Sequence, residues 1–205
     1  MGVNYLKLCD ILAKYIPNPL VQNVADLIVA HRVVLKIKKP RTSKLGDYRS
    51  PAFNGRHTLS INKDLNTYAF SLTLLHELAH MLCFSKYKNR VKPHGKEWKA
   101  IFIELATPYL NRDIFPPDVE QALQNYFENP GASACSDPKL LKVLNKYNTE
   151  PSIYVEDIDE GDVFELENGR FFLKGKKRRT RYSCVCQDTK REYLVSGIAK
   201  IKRIV

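Results

Sequence analysis

The sequence predicts an α+β protein in two parts: a helix-rich domain with a small antiparallel sheet over residues 1–150, and a small, basic antiparallel β module over residues 151–205. Three observations carry this. Thr67 to about Phe84 places Leu72, Leu75, Ala79 and Leu82 on a 3–4 residue period, widened by Leu74, Leu78 and Met81 into a helix apolar on most sides. Val33–Lys38 and His57–Asn62 alternate and are rich in strand-forming residues. After Tyr147 the texture changes to short β-rich runs separated by glycines.

Taken in order, residues 4–15 and 19–31 read as two helices separated by Pro17-Asn18-Pro19, with Asn18 placed to cap the second and Pro19 in its first turn. The strand Val33–Lys38 follows. Gly46–Ser50 is a short extended segment, and Asn54-Gly55 turns the chain into the strand His57–Asn62. Beyond the apolar helix, Ser85–Pro93 is basic and polar and reads as a loop. His94–Leu105 resumes a helical pattern through Trp98, Ile101 and Phe102. Two more helices start at Pro116-Pro117 and at Asp137-Pro138, the second with Asp137 as N-cap. In the tail, Ile153–Val155, Val163–Leu166, Arg170–Leu173, Arg181–Cys186 and Glu192–Val195 read as strands, with a hairpin turn at Asn168-Gly169.

Composition narrows the classes. With 44% hydrophobic and 27% charged residues, the chain can build a core and is neither an apolar filament nor a membrane protein. No apolar run approaches the roughly 20 residues that span a bilayer. The first residues, broken by Asn4, Lys7, Asp10 and Lys14, suit an amphipathic helix rather than a signal peptide. Met1-Gly2 lacks the Ser or Thr of a myristoylation motif. The five cysteines, Cys9, Cys83, Cys135, Cys184 and Cys186, are odd in number and contain no C-x-x-C, which fits a reducing cytoplasm better than a disulfide framework. The net charge of +11 is uneven: +10 over residues 1–110, −6 over 111–160 and +7 over 161–205. Two basic ends around an acidic middle suggest a polyanion partner, most simply nucleic acid, although basic charge also serves solubility alone.

The chemistry concentrates in His76-Glu77-Leu78-Ala79-His80, an H-E-x-x-H sequence. On a helix, positions i and i+4 differ by about 40° in direction and about 6 Å in height, so both imidazoles can reach one ion. Glu77 lies at the edge of that face, beside the ion rather than bound to it. Two histidines and a glutamate are costly to bury in an apolar helix without a partner. A zinc there would acidify water, and Glu77 would take the proton as general base and pass it to a leaving amine. A third ligand is needed. His94, opening the next helix after a loop long enough to turn the chain round, is the best placed; Glu97 and Glu104 are the fallbacks. His31 and His57 carry no spacing signal.

His76-Glu77-Leu78-Ala79-His80 followed by His94-Gly95-Lys96-Glu97-Trp98 resembles the SprT-like metalloprotease family, which includes the DNA-dependent protease Spartan. Leu45-Gly46-Asp47-Tyr48 and Leu59-Ser60-Ile61-Asn62 also resemble the strands that precede the active-site helix there. The resemblance covers residues from about 20 to 110. It implies a compact, zincin-like α+β protease with one Zn2+ per chain on His76, His80 and His94, Glu77 as catalytic residue, and protein substrates that include proteins bound or crosslinked to DNA. The alternative is a nucleic-acid-associated binding protein whose zinc site is structural or non-productive. Many bacterial members end in a four-cysteine zinc ribbon. Here the tail holds only Cys184 and Cys186, spaced C-x-C, so a second zinc is not expected and these are read as buried thiols.

The densest charge cluster, Lys174, Lys176, Lys177, Arg178, Arg179 and Arg181, could grip phosphates, with Phe171, Phe172, Tyr182 and Tyr193 near enough to stack on bases. Alternatively the cations are a solvated hairpin edge that blocks sheet-to-sheet pairing and the aromatics are core.

Overall fold

A computed structural model describes residues 2–41, 43–51, 55–110, 113–128, 130–131 and 137–205 of the chain. Asn54, in the turn expected before the second strand, and Cys135 lie outside them. The chain divides into two units, Met1–Thr149 and Glu150–Val205.

The first unit contains, in order, α1 (Gly2–Leu12), α2 (Asn18–Ala30), β1 (Val34–Lys38), β2 (Gly46–Arg49), β3 (Thr58–Asn62), α3 (Thr67–Tyr87), α4 (Lys96–Ala106), α5 (Pro117–Phe127) and α6 (Pro138–Asn145). Its centre is α3, buried on nearly every side, as its apolar pattern predicts. Asn66 fixes its start. The Asn66 side-chain oxygen accepts from the Tyr68 and Ala69 amides at 3.1 and 2.9 Å, satisfying donors that a helix start leaves free. Its Nδ2 donates to Leu144 O and Asn148 Oδ1 at 2.8 and 2.7 Å, tying the end of α6 to the start of α3. At α2 the cap position is Pro17 and Asn18 is already helical, with no side-chain cap bond. Asp137 caps α6 as expected, accepting from the Leu140 amide at 2.9 Å.

The sheet order is β1-β3-β2 among the described residues. The expected antiparallel sheet is mixed: β2 is antiparallel to β3, but β1 runs parallel to it, Val34 facing Thr58 and Lys38 facing Asn62. The connection from β1 to β2 passes over the end of β3, so the chain reverses direction and skips one strand. All five residues of β3 are buried, and β2 packs on α3.

The second unit is antiparallel throughout, its described strands ordered β4-β9-β5-β6-β7-β8: β4 (Ile153–Tyr154), β5 (Val163–Leu166), β6 (Phe171–Arg178), β7 (Arg181–Cys186), β8 (Glu192–Ser196) and β9 (Lys200–Ile204). β5 to β8 form a meander, and β9 returns to pair with β5. The Asn168-Gly169 turn needs a left-handed residue, supplied by Gly169 at φ 80°. Val155, Phe164, Phe172, Cys184 and Cys186 fill the core. Glu165 is almost fully buried and takes charged bonds from Lys202 and Arg203 on β9 at 2.7 and 2.6 Å. The Lys202 bond, with Arg203, holds its carboxyl below the usual range.

In the second unit two features differ from the sequence expectation. β9 is an extra strand, written in the Lys-Ile-Lys-Arg-Ile run that closes the chain. β6 runs on through the basic cluster to Arg178, where a strand ending at Leu173 is expected, because β7 continues to pair with it as far as Arg178–Arg181.

Candidate metal centre

α3 presents His76 and His80 one turn apart, and the loop before α4 brings His94 to them. His94 is not in the first turn of the helix, as the pattern suggests. Gly95 is the N-cap and the helix begins at Lys96. His94 instead adopts a left-handed backbone at φ 57°, unusual for a residue other than glycine, within a turn closed by Gly95 N donating to Lys92 O at 3.0 Å. That reversal carries the ring back to α3.

The three Nε2 atoms form a near-equilateral triangle: 3.2 Å between His76 and His80, 2.9 Å between His80 and His94, and 3.2 Å between His76 and His94. Neutral imidazoles have one N–H each, and with that proton on Nδ1 all three Nε2 lone pairs are free to converge on one cation. Zinc with ligands at about 2.0–2.1 Å in tetrahedral geometry has neighbouring ligand atoms about 3.3 Å apart, close to this triangle. Burial keeps the rings neutral, as metal ligands must be. It pushes His76 down to about 3, helped by His80 and His94, and His80 down to about 4, helped by His94; His94 is also lowered by burial. These three residues are the only group of the kind among the described residues.

Trp98 forms the floor. Its ring centroid lies 4.6, 5.2 and 4.7 Å from those of His76, His80 and His94, and Phe102 stacks beneath it at 5.0 Å. Trp98 is fully buried and its indole N–H meets no acceptor among the described residues, at a cost of roughly 1–3 kcal/mol. Shape rather than hydrogen bonding therefore fixes the floor. Trp98 stands four residues after His94, a spacing that could have marked it in the sequence as a support for the ligand.

Glu77 follows His76 on α3, lies outside the triangle and is 7% exposed. Desolvation, then the charge of Asp47, raises its carboxyl to about 8, against the opposing pull of Arg41 and Lys44. A cation on the three imidazoles would favour the ionised form and pull it down again. Gly46 on β2 faces Glu77 and Thr73, and Tyr48, two residues on, lies near His80 and Phe84, ring centroids 6.4 and 6.2 Å away. The Tyr48 hydroxyl bonds to His57 Nδ1 at 2.8 Å, so His57 is engaged there and not at the triangle. Glu97 and Glu104 are also outside the cluster: Glu97 lies 4.0 Å from Lys96, and Glu104 is exposed with His31 along a separate groove.

In the second unit, Lys176, Lys177, Arg178, Arg179 and Arg181 are exposed around the β6–β7 hairpin. Lys174 is a correction to the expected phosphate-gripping set. It is 5% exposed, points inward, donates to Ile158 O and lies 4.3 Å over the Tyr182 ring. Alternation explains this: Lys174 pairs with Cys184 on the inner face of the sheet. Phe172 and Tyr182, two of the aromatics considered for base stacking, are likewise core.

Among known families, residues 19–119 match the model of the SprT-like family. No curated protein and no solved structure matches the chain.

Proposed function

Since residues 19–119 place the chain in the SprT-like family, we propose that it is a zinc-dependent endopeptidase. The single observation that carries this is the convergence of three imidazoles, with a buried glutamate next to one of them on α3 and outside the triangle. His76, His80 and His94 hold the zinc, one per chain, which supplies a Lewis acid for the scissile carbonyl and for water. Glu77 takes the proton of the attacking water on its carboxylate and delivers it to the leaving amine. Trp98 excludes water from beneath the ligands. A structural site has no use for a buried base, so Glu77 favours an enzyme over a binding protein with a non-productive zinc. Hydrolysis of an unfolded protein substrate, followed with and without a chelator, tests the reading. Cleavage that stops on metal removal and returns with zinc supports it, and cleavage indifferent to the chelator overturns it.

The substrates on this reading include proteins bound to DNA. The support is the five exposed cations of the β6–β7 hairpin, Lys176, Lys177, Arg178, Arg179 and Arg181, with no acid between Asn168 and Gln187. Among the described residues no helix is long and apolar enough to cross a membrane. A cytoplasmic place of work is part of the reading, and the free thiols of Cys9, Cys83, Cys184 and Cys186 support it. Changing Lys176, Lys177, Arg178 and Arg179 to Ala should weaken binding to DNA of any sequence about equally. It should also flatten the fall of affinity with salt, since each neutralised phosphate releases counterions. A titration at low and moderate salt checks it; identical affinities and slopes would leave the cluster as solvated surface.

A further inference from the structure

β2 meets α3 where a side chain does not fit. A Cβ on Gly46 would run into Glu77 Oε1 and would stand 2.9 Å from Glu77 Cγ and 2.7 Å from Thr73 Cγ2. The bare backbone of β2 is thus the wall on which the Glu77 carboxyl rests. That wall is fastened immediately upstream. The Arg41 guanidinium donates from Nε to Asn62 Oδ1 at 2.7 Å and from Nη1 to Ser60 Oγ at 3.1 Å, with longer bonds from Nη2 to Ser60 O and Leu45 O at 3.3 and 3.4 Å. Asn62, 1% exposed, answers with Nδ2 bonds to Arg41 O at 3.1 Å and Lys44 O at 3.0 Å. Its amide donates to Leu45 O at 2.9 Å. Gly46 is the next residue. A planar fork reaches several acceptors at fixed angles, which an ammonium cannot do, and buried Asn62 and Ser60 lose satisfied bonds if the fork is removed.

Resting on the protease reading above, we propose that Arg41, clamped to Asn62 and Ser60, is a positioning residue that keeps Gly46 against Glu77 and so fixes the orientation of the general base. Its guanidinium bonds run to Asn62, Ser60 and Leu45 rather than to His76, His80 or His94. Its effect is therefore on turnover, because a misplacement of about 1 Å can cost up to about 100-fold in rate.

The test compares Arg41→Gln and Arg41→Lys with the native, zinc-loaded full chain, reading kcat and KM for peptide hydrolysis, zinc content, and hydrogen exchange at the Asn62 amide. Both variants should exchange faster at Asn62, keep one zinc and an unchanged KM, and lose about tenfold or more in kcat. Arg41→Gln placed on Glu77→Gln should cost nothing further, since both act on one step. Four results would overturn the role: native kcat with the Asn62 amide loosened; full activity in Arg41→Lys, which would leave charge rather than the clamp as the agent; loss of zinc in both variants; or an additive loss in the double variant. A native chain that cleaves nothing sinks the protease reading and this role with it. That outcome is distinct from failure of the clamp alone, in which the native chain cleaves and Arg41→Gln cleaves as fast.

Discussion

Glu77→Gln should retain the metal and fold of the native chain and lose proteolysis by about 100-fold or more. The amide has the shape of the carboxyl, so it fits against Gly46 and Thr73 as before, but it cannot accept a proton and pass it on. Folding should not suffer. Burial raises the Glu77 carboxyl to about 8 in the metal-free chain, so above the unfolded value of about 4.3 ionisation favours the unfolded state. Gln removes that term, and metal-free Glu77→Gln should melt no lower than the native chain at pH 7. Elemental analysis, a melting curve and a hydrolysis assay decide it. Activity within a few-fold of native would mean that Glu77 is not the base.

The second large effect is on metal content. Native protein should carry about one zinc per chain, and His76→Ala with His80→Ala should carry none, because a single remaining imidazole cannot hold the ion against water. A full zinc in the double variant would defeat the assignment. Two tightly held zincs in the native chain would point to a second centre. The described residues offer none: Cys184 and Cys186 are fully buried in the core of the second unit, and no other cluster of ligating side chains occurs there.

The parts of this arrangement legible in the sequence are those set by local periodicity. The apolar period of α3 and the i, i+4 spacing of His76 and His80 are properties of one helix, and both appear where the pattern puts them. Less legible was how His94 reaches the others. A left-handed histidine before the helix cannot be told from a helical one by hydrophobic period, since both leave Trp98 and Phe102 on the buried face. The parallel pairing of β1 with β3 depends on a connection that crosses a strand end, and alternation carries no strand direction. Gly46 was visible only as part of a motif; that a side chain there would strike Glu77 is a fact of tertiary contact. In the second unit the basic run hid a strand, because charge speaks for exposure while β6 needs only every second residue to face inward. Lys174 follows the pleat into the core and its neighbours do not.

Trp98 is the sole tryptophan in the chain, and it lies against all three imidazoles at the centre of the first unit. Light absorbed at the red edge of the ultraviolet band, where tyrosine is dark, therefore excites one indole in one place. Its emission is a native optical gauge for the ligand triangle, sensitive to whether the rings beside it are charged, neutral or bound to an ion. Loading and stripping of the centre can be followed in real time without a dye, a label or a substrate, in the native chain and in every variant that keeps Trp98.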